Sequence, residues 1–204
     1  MTEIPAGFTM PDFGPRVAAP TTTGTTDSQF VPTVPPPGPR KMAFICSKGN
    51  LDMAYPALIM GNAALGEGCE VHIFFTFWGL DIINKKLNHK LQFTLTGNTA
   101  MHMPQLGRLR PGLEYRSMPQ QLGGLPGMTA FATRMMKQQM ADLEIPDVPA
   151  FLDLLAAAGA HFYACKLTFD MMKMIEADLH DATVGVISAA DFIEISEGAQ
   201  IVFI

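Results

Sequence analysis

The strongest constraint on the fold is a strand-like run, a helix-like segment and a second strand-like run that follow one another after residue 40. Residues 42–46 are apolar and end at a turn-forming segment, which is typical of a strand buried on both faces. Asn50 or Asp52 can cap the helix that follows, and residues 71–77 form the next apolar run. A strand, a helix and a strand within about 35 residues predict a βαβ unit with parallel strands and a right-handed crossover.

The rest of the chain repeats this alternation, interrupted by a segment rich in Gly, Pro, Met and Gln. We interpret that segment, residues 97–127, as a long loop that covers a site or carries contacts between subunits. The sequence therefore predicts an α/β fold of three layers, with a mostly parallel five-stranded sheet and helices on both faces. The remaining elements are predicted as strands at 92–95, 160–164, 183–187 and 200–204, and as helices at 80–87, 128–140, 148–158, 169–179 and 189–197.

Residues 1–40 differ in composition from the segment that follows. Pro, Thr and Gly dominate them, and they hold few large apolar residues to offset the entropy lost on ordering. We predict an extended or disordered arm over 1–40 and an α/β domain over 41–204. The alternative for the arm is that it packs across a neighbouring subunit.

Composition excludes several classes of protein. The three cysteines are odd in number and widely spaced, so they offer neither a disulfide framework nor a zinc site, and they predict a reducing compartment such as the cytoplasm. The amino terminus lacks the features of a secretory signal, and the apolar runs of about ten residues are too short to span a bilayer. A net charge of −5 without a long basic run argues against nucleic acid as a partner.

The positions of the cysteines along the predicted elements separate them. In open parallel sheets, sites lie outside the carboxyl ends of the strands. Cys46 and Cys165 end predicted strands and belong at that edge, whereas Cys69 precedes a strand and is predicted to be structural. A redox pair of Cys46 and Cys165 depends on the strand order, because bridged Cα atoms lie about 5.5–6 Å apart.

Cys165 is the candidate nucleophile. It follows the apolar run 160–164 and precedes the helix-like run 167–172, so its thiol faces unpaired backbone N–H groups and the positive end of a helix dipole. Lys166 is a further source of positive charge, and Thr168 is predicted to cap the helix. The alternative is that Cys165 is a buried, small hydrophobic residue without chemical consequence.

No other motif predicts a site. The G-x-x-x-x-G-K-[ST] and G-x-G-x-x-G patterns that bind phosphates and dinucleotides are missing, so we predict no cofactor. We also predict no metal site, because the five histidines show no ligand spacing and two of them fall inside strands as satisfied core or inter-subunit residues. The histidines are at positions 72, 89, 102, 161 and 180.

Four segments of the chain carry a resemblance to a known family. They are residues 46–56 (Cys-Ser-Lys-Gly-Asn-Leu-Asp-Met-Ala-Tyr-Pro), 74–80 (Phe-Phe-Thr-Phe-Trp-Gly-Leu), 164–168 (Ala-Cys-Lys-Leu-Thr) and 201–204 (Ile-Val-Phe-Ile). With them, residues 41–204 resemble the DsrE/DsrF-like family, in particular the longer single-chain members of sulfur-oxidation gene clusters. The first two segments are the specific ones.

The resemblance implies a sulfur carrier or sulfurtransferase in which the cysteine matching Cys165 holds sulfane sulfur as a persulfide. It implies TusA-like carriers and rhodaneses as partners, and self-association into a homo-oligomer. Two alternatives stay open at this point. One is a noncatalytic interaction subunit of a sulfur-relay assembly with an inert thiol, and the other is a flavin or nucleotide binder at the same sheet edge, for which the chain has no motif.

Overall fold

A computed structural model describes residues 40–98, 102, 110–112, 115–117 and 119–204. Apart from Arg40, the predicted arm lies outside the described residues, and so does much of the predicted loop at 97–127. The division of the chain into an arm and a domain therefore stays a prediction.

Five strands form one sheet in the order β4-β3-β2-β1-β5, and every pairing in it is parallel. The predicted α/β fold with a parallel five-stranded sheet is confirmed. The strand at 183–187 was predicted to the residue, whereas residues 92–95 do not form a strand. The strands are β1 Lys41–Cys46, β2 Glu70–Phe75, β3 His161–Cys165, β4 Thr183–Ile187 and β5 Gln200–Phe203.

Helices connect these strands on both faces of the sheet. They are α1 Leu51–Gly66, α2 Leu80–Ile83, α3 Gln120–Gly123, α4 Met128–Asp142, α5 Val148–Ala157, α6 Lys166–Met171 and α7 Ala189–Ile195. Short 3-10 turns lie at Phe77–Gly79, Asn88–Lys90 and Glu176–Asp178. None of the helices in the described part of the chain is long and apolar enough to cross a membrane.

The two faces of the sheet are covered unequally. On the first face α1 and α5 bury a large cluster that includes Phe44, Phe75 and Phe162. On the second face α7 contributes Phe192, whose ring stacks on Phe74 at 4.5 Å between centroids. This arrangement follows from the strand order, because the chain must return from the β4 edge to the β5 edge and does so across the second face.

Two predicted elements differ from those observed because other contacts satisfy their backbone. In the segment 92–95, Phe93 N–H donates to the Thr133 hydroxyl (2.9 Å) and Thr94 N–H donates to Asp52 (2.9 Å), so no strand ladder is needed. The helix predicted at 169–179 is instead α6, which ends at Met171. Lys173 has φ 51°, in the left-handed region that a helix does not continue through.

Candidate functional site

Cys165 occupies the junction of a strand and a helix at the carboxyl edge of the sheet, as the sequence predicts. It is the last residue of β3 and the N-cap residue of α6, with extended backbone (φ −71°, ψ 117°). Its side chain belongs to the second face, beside Tyr163 and Phe192, and 6% of the residue is exposed. The thiol is thus recessed below the surface.

Four hydrogen-bond donors act on the pKa of the Cys165 thiol. Burial raises the pKa of this thiol, but the Thr76 hydroxyl, the backbone N–H and hydroxyl of Thr168 and the backbone N–H of Leu167 together lower the pKa below its usual range. The Cys165 side chain forms no capping hydrogen bond with α6. The donors act on the thiolate, which accepts hydrogen bonds far more strongly.

Thr76 reaches Cys165 because of the parallel register. Phe75 of β2 pairs with Ala164 of β3. The residues that follow them, Thr76 and Cys165, therefore lie side by side on the second face. The sequence did not indicate Thr76, because its role depends on β2 lying next to β3. A polar residue directly after a buried strand was the one signal present.

Thr168 has a different role from the one predicted. It is the third residue of α6 and is 1% exposed, so it is not a helix cap. Its Oγ1 accepts a hydrogen bond from Phe77 N–H (3.1 Å) and lies 3.4 Å from Thr76 Oγ1. Thr168 therefore links the turn after β2 to the thiol of Cys165.

The other two cysteines lie in different environments. Cys46 ends β1 but belongs to the cluster on the first face and is 1% exposed, and burial raises its pKa to about 12. β2 separates β1 from β3, so Cys46 and Cys165 end strands that are about 9.5 Å apart. That separation is too large for a disulfide. Cys69 is buried next to the start of β2, at the opposite edge.

Lys166 does not contribute to the environment of the thiol. Its Nζ lies 3.4 Å from Asp170 in an exposed i,i+4 ion pair, and hydrogen bonds alone lower the pKa of Cys165.

We therefore expect Lys166→Gln to change the rate of iodoacetamide alkylation of Cys165 at pH 7 by no more than about twofold, as exposed pairs contribute little. A larger decrease would show that the ammonium group activates the thiol.

The two strand histidines stack on each other on the second face, with ring centroids 5.1 Å apart. His72 is buried, and its Nε2 lies 2.8 Å from Glu70 and its Nδ1 lies 3.3 Å from the Tyr163 hydroxyl. Burial lowers the pKa of His72 although Glu70 opposes that change. His72 is a satisfied core residue, as predicted.

The fold and the site define an α/β protein with a recessed thiol at the carboxyl edge of a parallel sheet, where nearby donors lower the pKa of that thiol. Comparison with known sequences makes the class specific: residues 39–204 match the DsrE/DsrF/DrsH-like family, and the chain belongs to that family. The family resemblance inferred from the sequence is confirmed.

Individual relatives cover nearly all of the same region. The chain is 36% identical over 162 residues to the sulfur carrier protein DsrE2 of Allochromatium vinosum, a match that covers 79% of this chain and 96% of that protein. It is 23% identical over 165 residues to the uncharacterized protein YrkE of Bacillus subtilis, covering 81% and 97%. A solved structure of the protein of unknown function MTH1491 from Methanobacterium thermoautotrophicum superposes with a TM-score of 0.48 at 9% identity, covering 81% and 99%.

Proposed function

We propose that this protein is a sulfur carrier that holds sulfane sulfur as a persulfide on Cys165 and exchanges it with partner proteins in sulfur metabolism. The proposal is supported by the 36% identity to a sulfur carrier protein over most of the chain. The observation that selects Cys165 among the three cysteines is its set of hydrogen-bond donors from Thr76, Leu167 and Thr168, which lower the pKa of its thiol. The environment of Cys46 is different, since burial raises the pKa of that thiol to about 12.

The transfer step is a thiol exchange at sulfur. The Cys165 thiolate attacks the outer sulfur of a donor persulfide R–S–SH, a new S–S bond forms, and the donor leaves as the thiolate R–S⁻. The acceptor thiolate then attacks the outer sulfur of the Cys165 persulfide and regenerates the Cys165 thiolate. The oxidation state of the transferred sulfur is unchanged, so the step needs no external oxidant or reductant.

The proposed partners are a TusA-like carrier and a rhodanese, with the protein itself a homo-oligomer in a reducing compartment such as the cytoplasm. A reducing compartment keeps all three thiols free, which agrees with the three free cysteines. The activity is that of a sulfurtransferase-type carrier, since Cys165 is both acceptor and donor of the sulfur.

Cys46 and Cys69 of the wild-type protein serve as internal controls for Cys165 in the test of this proposal. After exposure to inorganic polysulfide, mass spectrometry of the peptides should find an added mass of about 32 Da, one sulfur atom, on the Cys165 peptide. The peptides with Cys46 and Cys69 should stay unmodified in the folded protein. Sulfur on Cys46 or Cys69 but not on Cys165 would contradict the assignment.

A noncatalytic interaction subunit is the second candidate function, and the recessed position of Cys165 is the observation that favours it. With 6% of the residue exposed, a thiol can be inert in the folded chain. In that case no cysteine should gain sulfur from polysulfide, although the protein should still bind its partners.

A further inference from the structure

Four large apolar side chains are exposed on the two segments, the turn after β2 and α6, that supply the donors to the Cys165 thiol. Phe77 and Trp78 follow β2, while Leu167 and Met171 lie one turn apart on α6, and each is between 53 and 75% exposed. We call these four residues the apolar rim. Large apolar side chains that are exposed close together are typical of a surface that binds a partner.

The rim is continuous with the thiol through hydrogen bonds. Phe77 N–H donates to Thr168 Oγ1, and Thr168 and Leu167 both place donors at the Cys165 sulfur. The rim therefore borders the side of the thiol on which its hydrogen-bond donors lie. The thiol thus limits the occupant of this surface to a molecule that delivers or removes sulfur.

The turn that carries Phe77 and Trp78 is held in an unfavourable conformation. Phe77 has φ 46°, in the left-handed region that a bulky side chain avoids, and the Thr168 hydroxyl stabilises its N–H there. Thr76 N–H donates to Cys46 O (2.9 Å), and a side chain at Gly49 would collide with Trp78 O. The exposure of Phe77 and Trp78 is therefore fixed by buried contacts and is not a feature of a loose loop.

The chemistry of the rim favours a protein over a small polysulfide ion. A polysulfide anion is bound by donors and cations, and the four side chains offer no cation and a single donor, the Trp78 indole N–H. A protein surface with its own apolar patch gains free energy by removing these side chains from water. Aromatic residues such as Phe77 and Trp78 are typical of the energetic centres of protein interfaces.

Charges around the rim indicate the sign of the partner surface. Lys48 precedes Gly49, which lies against the Trp78 turn, and Lys173 lies two residues after Met171. Both lysines are exposed, and neither forms an ion pair among the described residues. Lys166 is paired with Asp170, and the nearby Asp81 is partly buried. In a chain of net charge −5, Lys48 and Lys173 thus present positive charge without an ion-pair partner among the described residues, which matches acidic groups on a partner.

We propose that the apolar rim is the docking surface for a partner protein that carries sulfur on a cysteine within an apolar patch surrounded by acidic residues. This inference rests on the proposed function of Cys165 and adds the surface that selects its partner. Small sulfur donors reach the thiol without engaging the rim, so the rim matters for protein donors alone.

The transfer test compares two donors on one pair of variants. In the Trp78→Ser/Met171→Ser variant, transfer to Cys165 from a persulfidated TusA-like carrier should slow at least about tenfold, as for loss of interface anchors. Loading by inorganic polysulfide should stay within about twofold of wild type, because the donors at the sulfur remain. The matched control, Leu143→Ser/Leu154→Ser, removes two exposed apolar side chains, one after α4 and one on α5 of the first face, and should behave like wild type.

The outcomes separate this inference from the proposed function. Equal loss with both donors, or no loss with the carrier, would overturn the docking surface. Absence of polysulfide loading in the wild-type protein would instead overturn the role of Cys165. The Lys48→Glu/Lys173→Glu variant should also slow transfer from the carrier, and an unchanged rate would refute the acidic partner surface.

A binding measurement tests the rim even without sulfur transfer. Trp78 is the single tryptophan of the chain, so its fluorescence reports on the rim directly. Addition of an unmodified TusA-like carrier whose own tryptophans are replaced by phenylalanine should shift the Trp78 emission to shorter wavelength and protect it from acrylamide. A carrier that binds without changing the Trp78 emission would refute docking at the rim.

Discussion

Replacing Thr76 and Thr168 together by valine is expected to slow persulfide loading and alkylation of Cys165 at neutral pH by about 10- to 100-fold. Valine keeps the shape of threonine but removes both hydroxyl donors to the thiolate. A hydrogen bond to a charged group contributes about 1.5–3 kcal/mol, so the loss of two such bonds to the thiolate raises the pKa of Cys165 and lowers its thiolate fraction at neutral pH. Each remaining thiolate is more nucleophilic because its pKa is higher. This gain offsets about half of the rate that the lower thiolate fraction removes, on a logarithmic scale.

The pH dependence distinguishes this mechanism from a loss of access. The hydroxyls lower the pKa of Cys165 and burial raises it, so without the hydroxyls the pKa must rise. The inflection of the alkylation rate should move to higher pH, and the rates of variant and wild type should approach each other above both pKa values. The single variant Thr168→Ser, which keeps a hydroxyl at position 168, should retain most of the wild-type alkylation rate. A uniform decrease without a shifted inflection would contradict the proposed role of the hydroxyls.

A matched control for this experiment is Thr183→Val. The Thr183 hydroxyl is buried and has no hydrogen-bond partner among the described residues, so its removal leaves no donor or acceptor unpaired. Thr183 is the first residue of β4, so it lies at the amino-terminal ends of the strands, whereas Cys165 lies at their carboxyl ends. Its replacement should leave the pH profile of Cys165 unchanged.

The sequence predicted those parts of the fold and site that depend on local pattern. The run 183–187 was predicted to the residue as β4, and Cys165 was predicted at the end of a strand and the start of a helix. Both predictions rest on apolar runs bounded by turn residues, a signal contained within a few neighbouring positions. The strand predicted at 92–95 was wrong because Asp52 and Thr133, distant in sequence, satisfy its backbone.

The hydrogen-bonding partners of the thiol could not be predicted, because they depend on strand order. Thr76 and Thr168 are 92 residues apart and meet only because β2 lies next to β3. The same order places β2 between Cys46 and Cys165, and the two thiols belong to opposite faces of the sheet. A single sequence does not contain the strand order, so it left the redox pair open and gave no reason to select Thr76.

Gly79→Ala is expected to destabilise the protein by about 3 kcal/mol, because the new methyl group would overlap the backbone at the end of β1. A Cβ at Gly79 would lie 2.7 Å from the carbonyl carbon of Cys46 and closer still to its oxygen. The backbone of Gly79 is helical (φ −60°, ψ −21°), so alanine is conformationally acceptable and the effect is purely steric. Cys46 cannot move away freely, because its oxygen accepts the hydrogen bond from Thr76 N–H.

The control for this steric effect is Gly66→Ala at the end of α1. No atom lies within 4 Å of a Cβ at Gly66, so alanine there should raise stability by about 0.5–1 kcal/mol. Urea unfolding of the two variants should show midpoints displaced in opposite directions at equal slope. Relief of the overlap in Gly79→Ala must displace the Thr76 turn, so the pKa of Cys165 should rise as stability falls. Equal stability of the two variants would mean that the turn does not rest on β1, and that Thr76 is not held beside the thiol by this contact.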